Sequence, residues 1–183
     1  MRVICACGNQ SDEIIRGIAT GFSKSDISYT YILGDRGVYS HRGRPLDGYA
    51  IDIGGDVTDS SQVLLTSADR IPFIGGFSEG IMILSPTYQG DGCCFATRGY
   101  IISSQETQIP PTLKKYPLIS CGMGAKDTVT YSSLTPRKEM ICIQRRLSTF
   151  DGRVIEPQEF PAEGNGFITL AVFTAMLLCD VIK

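Results

Sequence analysis

Hydrophobic residues in the first third of the chain form short runs that end in glycine and polar residues. The run RVICAC, residues 2–7, predicts a buried strand, and the apolar positions over residues 12–22 recur at helical spacing. Ser11 precedes that helix and is the expected N-cap. The runs ISYTYILGD (27–35) and GYAIDIGGD (48–56) are rich in β-branched and aromatic residues, which is typical of strands. The chain therefore opens as strand, helix, strand and strand.

The middle of the chain is also rich in predicted strands. Residues 63–86 predict two buried strands separated by a Pro-Phe turn, and residues 93–104 predict a hairpin after a Gly-Asp-Gly turn. The segment 105–116 contains a double proline and predicts a subdomain boundary or the edge of a sheet. From Pro117 onward the pattern predicts strand, loop and strand, followed by a further strand within residues 137–147.

The C-terminal segment GFITLAVFTAMLLCDVIK, residues 166–183, predicts a helix that is apolar on nearly every side. Asn165 is its expected cap. Its apolar run is shorter than the roughly 20 residues needed to span a bilayer, so we expect no membrane insertion. Such a helix packs inside its own domain or against a second copy, and we predict homo-oligomerisation through it.

Together these elements predict one α/β domain over residues 1–183. The expected sheet is mostly parallel or mixed and has six or more strands, with a helix after the first strand and a buried C-terminal helix. A chain of 183 residues normally forms one domain.

Composition narrows the function classes. The chain is 43% hydrophobic and 20% charged with a formal net charge of -2, which is typical of a globular protein and predicts no nucleic-acid binding. It has seven cysteines, an odd number, and its N-terminus lacks the apolar core of a signal peptide. We therefore expect a cytoplasmic protein with reduced thiols.

The segment CACGNQSDE, residues 5–13, places a glycine and the first amides of a helix directly after a buried strand. This arrangement favours phosphate or another anion, because helix N-termini carry partial positive charge and free N–H groups. Neither G-x-G-x-x-G nor G-x-x-x-x-G-K-[ST] occurs, so canonical NTP hydrolysis is not predicted. The alternative is a plain turn between strand and helix.

Two further predicted strands end in a Gly-Asp pair, and such ends often lie at the ligand-binding edge of a sheet. The aspartates also suit magnesium or acid–base chemistry, although aspartate beside glycine is a common turn pair. The candidate ligand-binding residues at this edge are Gly8, Asn9, Gly34, Asp35, Gly55 and Asp56.

The segment KYPLISCGMGAKDTVTYSS, residues 115–133, is the second candidate ligand loop. Gly122 and Gly124 allow positive φ and close approach of the backbone. Lys126 and Asp127 supply a donor and an acceptor immediately after them. The alternative is a tight turn between two strands.

Part of that segment, LISCGMGAKDTVTYSS, resembles strand-loop-strand segments of Mur-ligase central domains. The resemblance covers under a tenth of the chain, and the phosphate-binding Gly-Lys-Thr of that family is lacking. No functional residue is assigned on this basis.

Cysteine and histidine chemistry gives weaker candidates. His41 with Cys94 or Cys121 would be the minimum for a thiolate nucleophile, but no nucleophile elbow surrounds either cysteine. Cys5 and Cys7 lack the C-x-x-C spacing of metal knuckles, so no metal site is predicted, and no motif identifies a cofactor.

The function predicted from these features is binding of a nucleotide or phosphorylated metabolite at the strand-end loops of a small cytoplasmic protein. One alternative is a noncatalytic oligomeric assembly or regulatory protein. Another is a Cys/His-dependent hydrolase or transferase. Convergence of His41, Lys126, Asp127 and Asp35 in one pocket would favour ligand binding over assembly.

Overall fold

Strands and two long helices account for most of the chain described by the computed structural model, which comprises residues 2–25, 27–33, 38–40, 63–68, 77–90, 96–135 and 138–182. The strands are β1 (Arg2–Cys7), β2 (Tyr29–Leu33), β3 (Val38–Ser40), β4 (Val63–Ala68), β5 (Phe77–Leu84), β6 (Ala96–Ser103), β7 (Leu118–Ser120), β8 (Val129–Thr135), β9 (Lys138–Ile143), β10 (Leu147–Ser148), β11 (Val154–Ile155) and β12 (Gln158–Ala162). The helices are α1 (Ser11–Lys24) and α2 (Gly166–Leu178), and a single 3-10 turn covers Pro111–Leu113.

The main sheet has seven strands in the order β3-β2-β4-β1-β5-β6-β7. Six of them are parallel, and β3 pairs antiparallel with β2. The central strand β1 is buried from Val3 to Cys7, which explains its continuous apolar run, since parallel strands are covered on both faces. The predicted α/β fold class is confirmed, including the helix after the first strand and the buried C-terminal helix.

Successive strands are added on opposite sides of β1. After β1 the chain passes through α1 to β2 on one side of β1, whereas β5, β6 and β7 lie on the other side. Cys7 lies opposite Leu84 in the parallel register, and the Ser85 N–H donates to the Cys7 carbonyl at 3.0 Å. The carboxyl ends of β1 and β5 are therefore adjacent at a topological switch point, where open α/β sheets place their ligands.

The helix α1 begins one residue earlier than a Ser11 cap would require. Gln10 occupies the N-cap position with φ 68°, and Ser11 is the first helical residue and is buried. The predicted Ser11 cap is wrong because two residues with positive φ, Gly8 and Gln10 on either side of Asn9, turn the chain sharply from strand to helix. No side chain caps this helix.

The helices α1 and α2 pack side by side and run in the same direction. Gly17 faces Val172 and, four residues further along each helix, Gly21 faces Met176. At the far end, the Phe150 N–H donates to Leu178 O, which fixes the C-terminus of α2 near the amino ends of the strands. Both helices consequently begin at the carboxyl edge of the main sheet, where their dipoles add positive potential.

A prediction follows from the two glycines that face α2. Alanine at either position gains about 1 kcal/mol of helix propensity. A Cβ on Gly17 would lie 2.8 Å from Val172 Cγ2, a stiff branched side chain, whereas a Cβ on Gly21 meets the flexible end of Met176. We expect Gly21→Ala to be more stable than Gly17→Ala by about 1 to 2 kcal/mol in urea unfolding. Equal stabilities would contradict this close packing.

The C-terminal helix is covered within its own chain. Seven of its residues are buried, and the remaining apolar ones are only partly exposed. Asn165 occupies the predicted N-cap position of this helix. Its side chain, however, makes no capping hydrogen bond, so that part of the prediction is wrong. Dimerisation through this helix stays a prediction.

The last third of the chain adds a second, antiparallel sheet of order β12-β9-β8 and the small hairpin β10-β11. A parallel bridge between Cys121 and Val129 connects it to the end of β7. The predicted hairpin at 93–104 is wrong, since Ala96–Ser103 is one continuous strand parallel to β5. Segment 105–116 joins β6 to β7, and a subdomain boundary there remains a prediction. Within the described ranges, no helix is both long and apolar enough to cross a bilayer.

At the amino edge of the main sheet, ion pairs and aromatic contacts join the strands to the segment of the β10-β11 hairpin. Arg2 and Arg98 both pair with Glu79, at 2.9 Å and 3.5 Å, and both guanidinium groups lie over the ring of Phe150. The hairpin β10-β11 is thereby held against the starts of β1, β5 and β6. The candidate residues that the structure describes lie at the opposite, carboxyl edge: Gly8, Asn9, Cys121, Gly122, Gly124, Lys126 and Asp127.

Candidate ligand site at the carboxyl edge of the sheet

The close approach of Gly8 to Ser85 defines the first part of the site. Gly8 leaves β1 with φ 91°, a conformation that favours glycine. A Cβ at this position would overlap Ser85 Oγ and would lie 3.4 Å from the Cβ atoms of both Ser85 and Tyr88. Glycine is therefore required here both by its φ and by the neighbouring loop.

Ser85 has a hydroxyl group whose hydrogen-bonding capacity is unused by the protein. Its side chain is 1% exposed, and its Oγ has no partner among the described residues. The Ser85 carbonyl, by contrast, accepts from Thr107 Oγ1 at 3.3 Å, and Thr107 is joined to Ser104 at 3.0 Å. Buried hydroxyls are normally paired, so a hydrogen-bond partner outside the described residues is expected at this one.

The N-terminus of α1 completes this part of the site, and it combines the positive end of the helix dipole with two acidic side chains. Its first amides have no side-chain cap, and they follow Gly8 directly. Asp12 and Glu13 lie in the first turn and oppose an incoming anion. Asp12 accepts a hydrogen bond from Ser67 at the end of β4, whereas Glu13 is exposed. These two carboxylates reduce the positive potential of the helix N-terminus.

The second part of the site is the loop between β7 and β8, which folds around a carboxylate. Asp127 Oδ2 accepts from the Gly124 N–H at 2.8 Å, and the Asp127 N–H donates to Gly124 O at 3.0 Å. A Cβ on Gly122 would lie 2.6 Å from Oδ2. Neither Gly122 nor Gly124 has positive φ, so that prediction is wrong, and these glycines instead make room for the carboxylate.

A chain of contacts joins the two parts along the edge. Ser85 contacts Thr107 in the loop after β6, and Gln105 of the same loop lies against Gly124, with 3.7 Å between its Nε2 and an ideal Cβ there. Lys126, within the second loop, is exposed. The edge thus brings the Gly8–Asn9 loop and the Gly122–Asp127 loop into one continuous surface.

The remaining candidates lie outside the described residues. They are Gly34, Asp35, His41, Gly55, Asp56 and Cys94. Ser85 and Thr107, by contrast, were not predicted. Ser85 follows a buried strand just as Gly8 does, and that position is the signal that would have found it.

Cys121 is poorly suited to nucleophilic chemistry. It is fully buried, and burial raises the pKa of its thiol to about 12 despite a hydrogen bond to Thr174. Because the Thr174 hydroxyl donates to Leu170 O at 2.7 Å, the thiol is the donor to Thr174. Cys121 therefore stays protonated near neutral pH.

The buried thiols predict a specific dependence of stability on pH. Burial also raises the pKa of Cys179 to about 12, from an ordinary value of 9.0. In the unfolded chain these thiols ionise above about pH 9, while in the fold they stay protonated until about pH 12. The free energy of unfolding should therefore fall over this window, by up to about 1.4 kcal/mol per pH unit for each thiol. Urea unfolding at several alkaline pH values measures this, and Cys121→Ala should reduce the slope.

Within the portion of the chain that the structure describes, no three His, Cys, Asp or Glu side chains group as a metal site. The glycines, hydroxyls, amides and helix N-termini at this edge are groups that can donate hydrogen bonds to an anion or to a polar organic group.

The arrangement defines an open α/β sheet with its candidate site at the switch point. No protein-family model matches the chain, and no curated protein does. The chain is similar in structure to UDP-N-acetylmuramoyl-L-alanyl-D-glutamate–2,6-diaminopimelate ligase, with a TM-score of 0.53 and 12% identity. The match covers 98% of this chain and 43% of the ligase, so the chain spans less than half the length of that enzyme. At this identity the similarity shows the fold alone.

Proposed function

We propose that the protein binds a nucleotide or a phosphorylated metabolite at the carboxyl edge of its main sheet. The observation that carries the proposal is the placement of Gly8 against Ser85. Three features meet there, at the switch point of the sheet. Gly8 exposes its backbone, the helix that follows has no side-chain cap, and the buried Ser85 hydroxyl has no hydrogen-bond partner among the described residues. Each of these features favours an anionic oxygen as the missing partner.

The parallel packing of α1 and α2 supports the same site. The two helices run in the same direction, so the positive ends of both macrodipoles lie on the carboxyl side of the sheet, that of α1 directly after β1 and that of α2 beside Tyr131 of the second sheet. Asp12 and Glu13 reduce that potential at α1. A monophosphate or a diphosphate ester therefore fits better than a triphosphate, and the fold resembles a ligase whose name contains a UDP-linked compound.

Cytoplasmic placement belongs to the same proposal. In the described part of the chain, no disulfide bond involves Cys5, Cys7, Cys121, Cys142 or Cys179. A reducing compartment keeps such thiols in this state, and it is also where nucleotides and phosphorylated metabolites are abundant.

The test is ligand-induced stabilisation of wild type and of Ser85→Ala, with Ser132→Ala, an exposed serine on β8, as the control. Thermal unfolding is followed with inorganic phosphate, uridine diphosphate and ATP. A ligand at about 100 times its Kd stabilises wild type by about 2.7 kcal/mol. We expect uridine diphosphate to raise the Tm of wild type and of Ser132→Ala more than ATP does.

Ser85→Ala should keep or raise the stability of the free protein and should weaken its stabilisation by ligand. Without ligand it should be as stable as wild type or more stable, because an unpaired buried hydroxyl is removed. With uridine diphosphate its Tm should rise less. No Tm shift of wild type with any of the three compounds would count against the proposal, as would equal shifts in wild type and Ser85→Ala.

A further inference from the structure

Asp127, at the other end of the carboxyl edge, has one carboxylate oxygen that no described residue binds. The residue is 3% exposed. Its Oδ2 accepts from the Gly124 N–H at 2.8 Å, whereas its Oδ1 is buried and has no hydrogen-bond partner in the described part of the chain. An unmatched buried carboxylate oxygen is costly, so this group is expected to meet a donor.

The chemistry of the loop indicates which donor fits. Mg²⁺ and Ca²⁺ require several oxygen ligands, and the described residues place no group of three acidic, cysteine or histidine side chains here. A protonated amine needs only one carboxylate, whose charge it compensates through a charge-assisted hydrogen bond. An amine is therefore the best match to a single buried carboxylate.

Gly122 lies beside both carboxylate oxygens of Asp127. An ideal Cβ on Gly122 would lie 2.6 Å from Asp127 Oδ2 and 3.4 Å from Oδ1, so the carboxylate occupies the space that a side chain at residue 122 would fill. Gly122 itself is partly exposed, and residues 123–126 are exposed. The exposed tip of the loop is therefore the side from which a ligand would reach Asp127.

The position of Asp127 relates it to the anion site. The strands β1, β5, β6 and β7 are consecutive neighbours, so the ends of β1 and β7 lie three strand spacings apart, or about 14 Å. We infer that the ligand is elongated, with an anionic group at Gly8 and Ser85 and a protonated amino group that binds Asp127. This inference rests on the proposed function for its anionic end.

Two esters of uridine diphosphate test the inference, one with aminohexanol and one with hexanol, which lacks only the terminal amine. Calorimetry on wild type should show the amino ester binding about tenfold more tightly. Asp127→Asn, which keeps an oxygen acceptor for Gly124, should bring the two esters to the same affinity. Gly122→Ala should do likewise, because its Cβ would displace the Asp127 carboxylate. Asp151→Asn, an exposed carboxylate at the amino edge, should leave the difference intact.

The outcomes separate the two claims. Equal affinity of the two esters for wild type overturns the amine inference and leaves phosphate binding in place. If Asp127→Asn weakens binding and Gly8→Ala does not, the proposed anion site is overturned and the amine site is supported. Absence of binding by either ester overturns both.

Discussion

Replacement of Phe173 by glutamate is expected to unfold the protein. Phe173 is 7% exposed in the middle of α2, and its ring packs against Phe160 of the second sheet with centroids 5.1 Å apart. Removing a buried aromatic side chain costs about 3 to 5 kcal/mol, and a buried unpaired carboxylate adds several more. The sum is comparable to the total stability of a typical domain, about 5 to 15 kcal/mol.

Leu118→Glu is the matched control, because Leu118 is 51% exposed on the edge strand β7. Circular dichroism should show a folded Leu118→Glu protein and an unfolded Phe173→Glu protein. Light scattering on the same samples tests the predicted dimer. A dimeric wild type that Phe173→Glu converts into a folded monomer would contradict burial of α2 within one chain and establish the helix as an interface.

Replacement of Gly8 by alanine is expected to have the second largest effect, a loss of about 3 kcal/mol of stability. Alanine at φ 91° is strained by about 1 to 2 kcal/mol, and its Cβ overlaps Ser85 Oγ, which adds about 1 to 3 kcal/mol. Gly152→Ala separates the two causes, since Gly152 has φ 85° with nothing within 4 Å of its Cβ. That control should lose only the strain.

A double substitution locates the overlap. Removing the Ser85 hydroxyl leaves the Gly8→Ala methyl 3.4 Å from the remaining Ser85 Cβ, an ordinary contact. Gly8→Ala with Ser85→Ala should therefore regain the stability that the overlap cost and resemble Gly152→Ala. Additive effects of the two substitutions in urea unfolding would show that the residues do not touch.

The elements with a strong local pattern were predictable. Both long helices lie where the apolar periodicity predicted them, and so do the strands β1, β2, β4, β5 and β9. Their buried positions follow a regular spacing over a few consecutive residues, and this local pattern is visible in the sequence. The 93–104 hairpin failed for the opposite reason. Gly-Asp-Gly is a local turn signal, whereas the pairing of β6 with β5 is a long-range parallel contact that no local signal reports.

The candidate site was predictable only in part. Gly8 and Asp127 stand beside a strand end in the sequence, so position alone identified them. Ser85 was missed because a single serine after a strand belongs to no motif, and its significance comes from Gly8, far away along the chain. Gly122 was predicted for the wrong reason, since its role is to leave space for a carboxylate and not to adopt positive φ.

The central claim, an anionic ligand between Gly8 and Ser85, is tested most directly by amide chemical shifts during titration with uridine diphosphate. The account predicts saturable shifts of the Gly8, Asn9, Gln10 and Ser85 amides, because the ligand binds the strand-end backbone there. The Gly152 amide, at the opposite edge, should not move. Saturable shifts confined to the amino edge, or no shifts at millimolar ligand, would contradict the account.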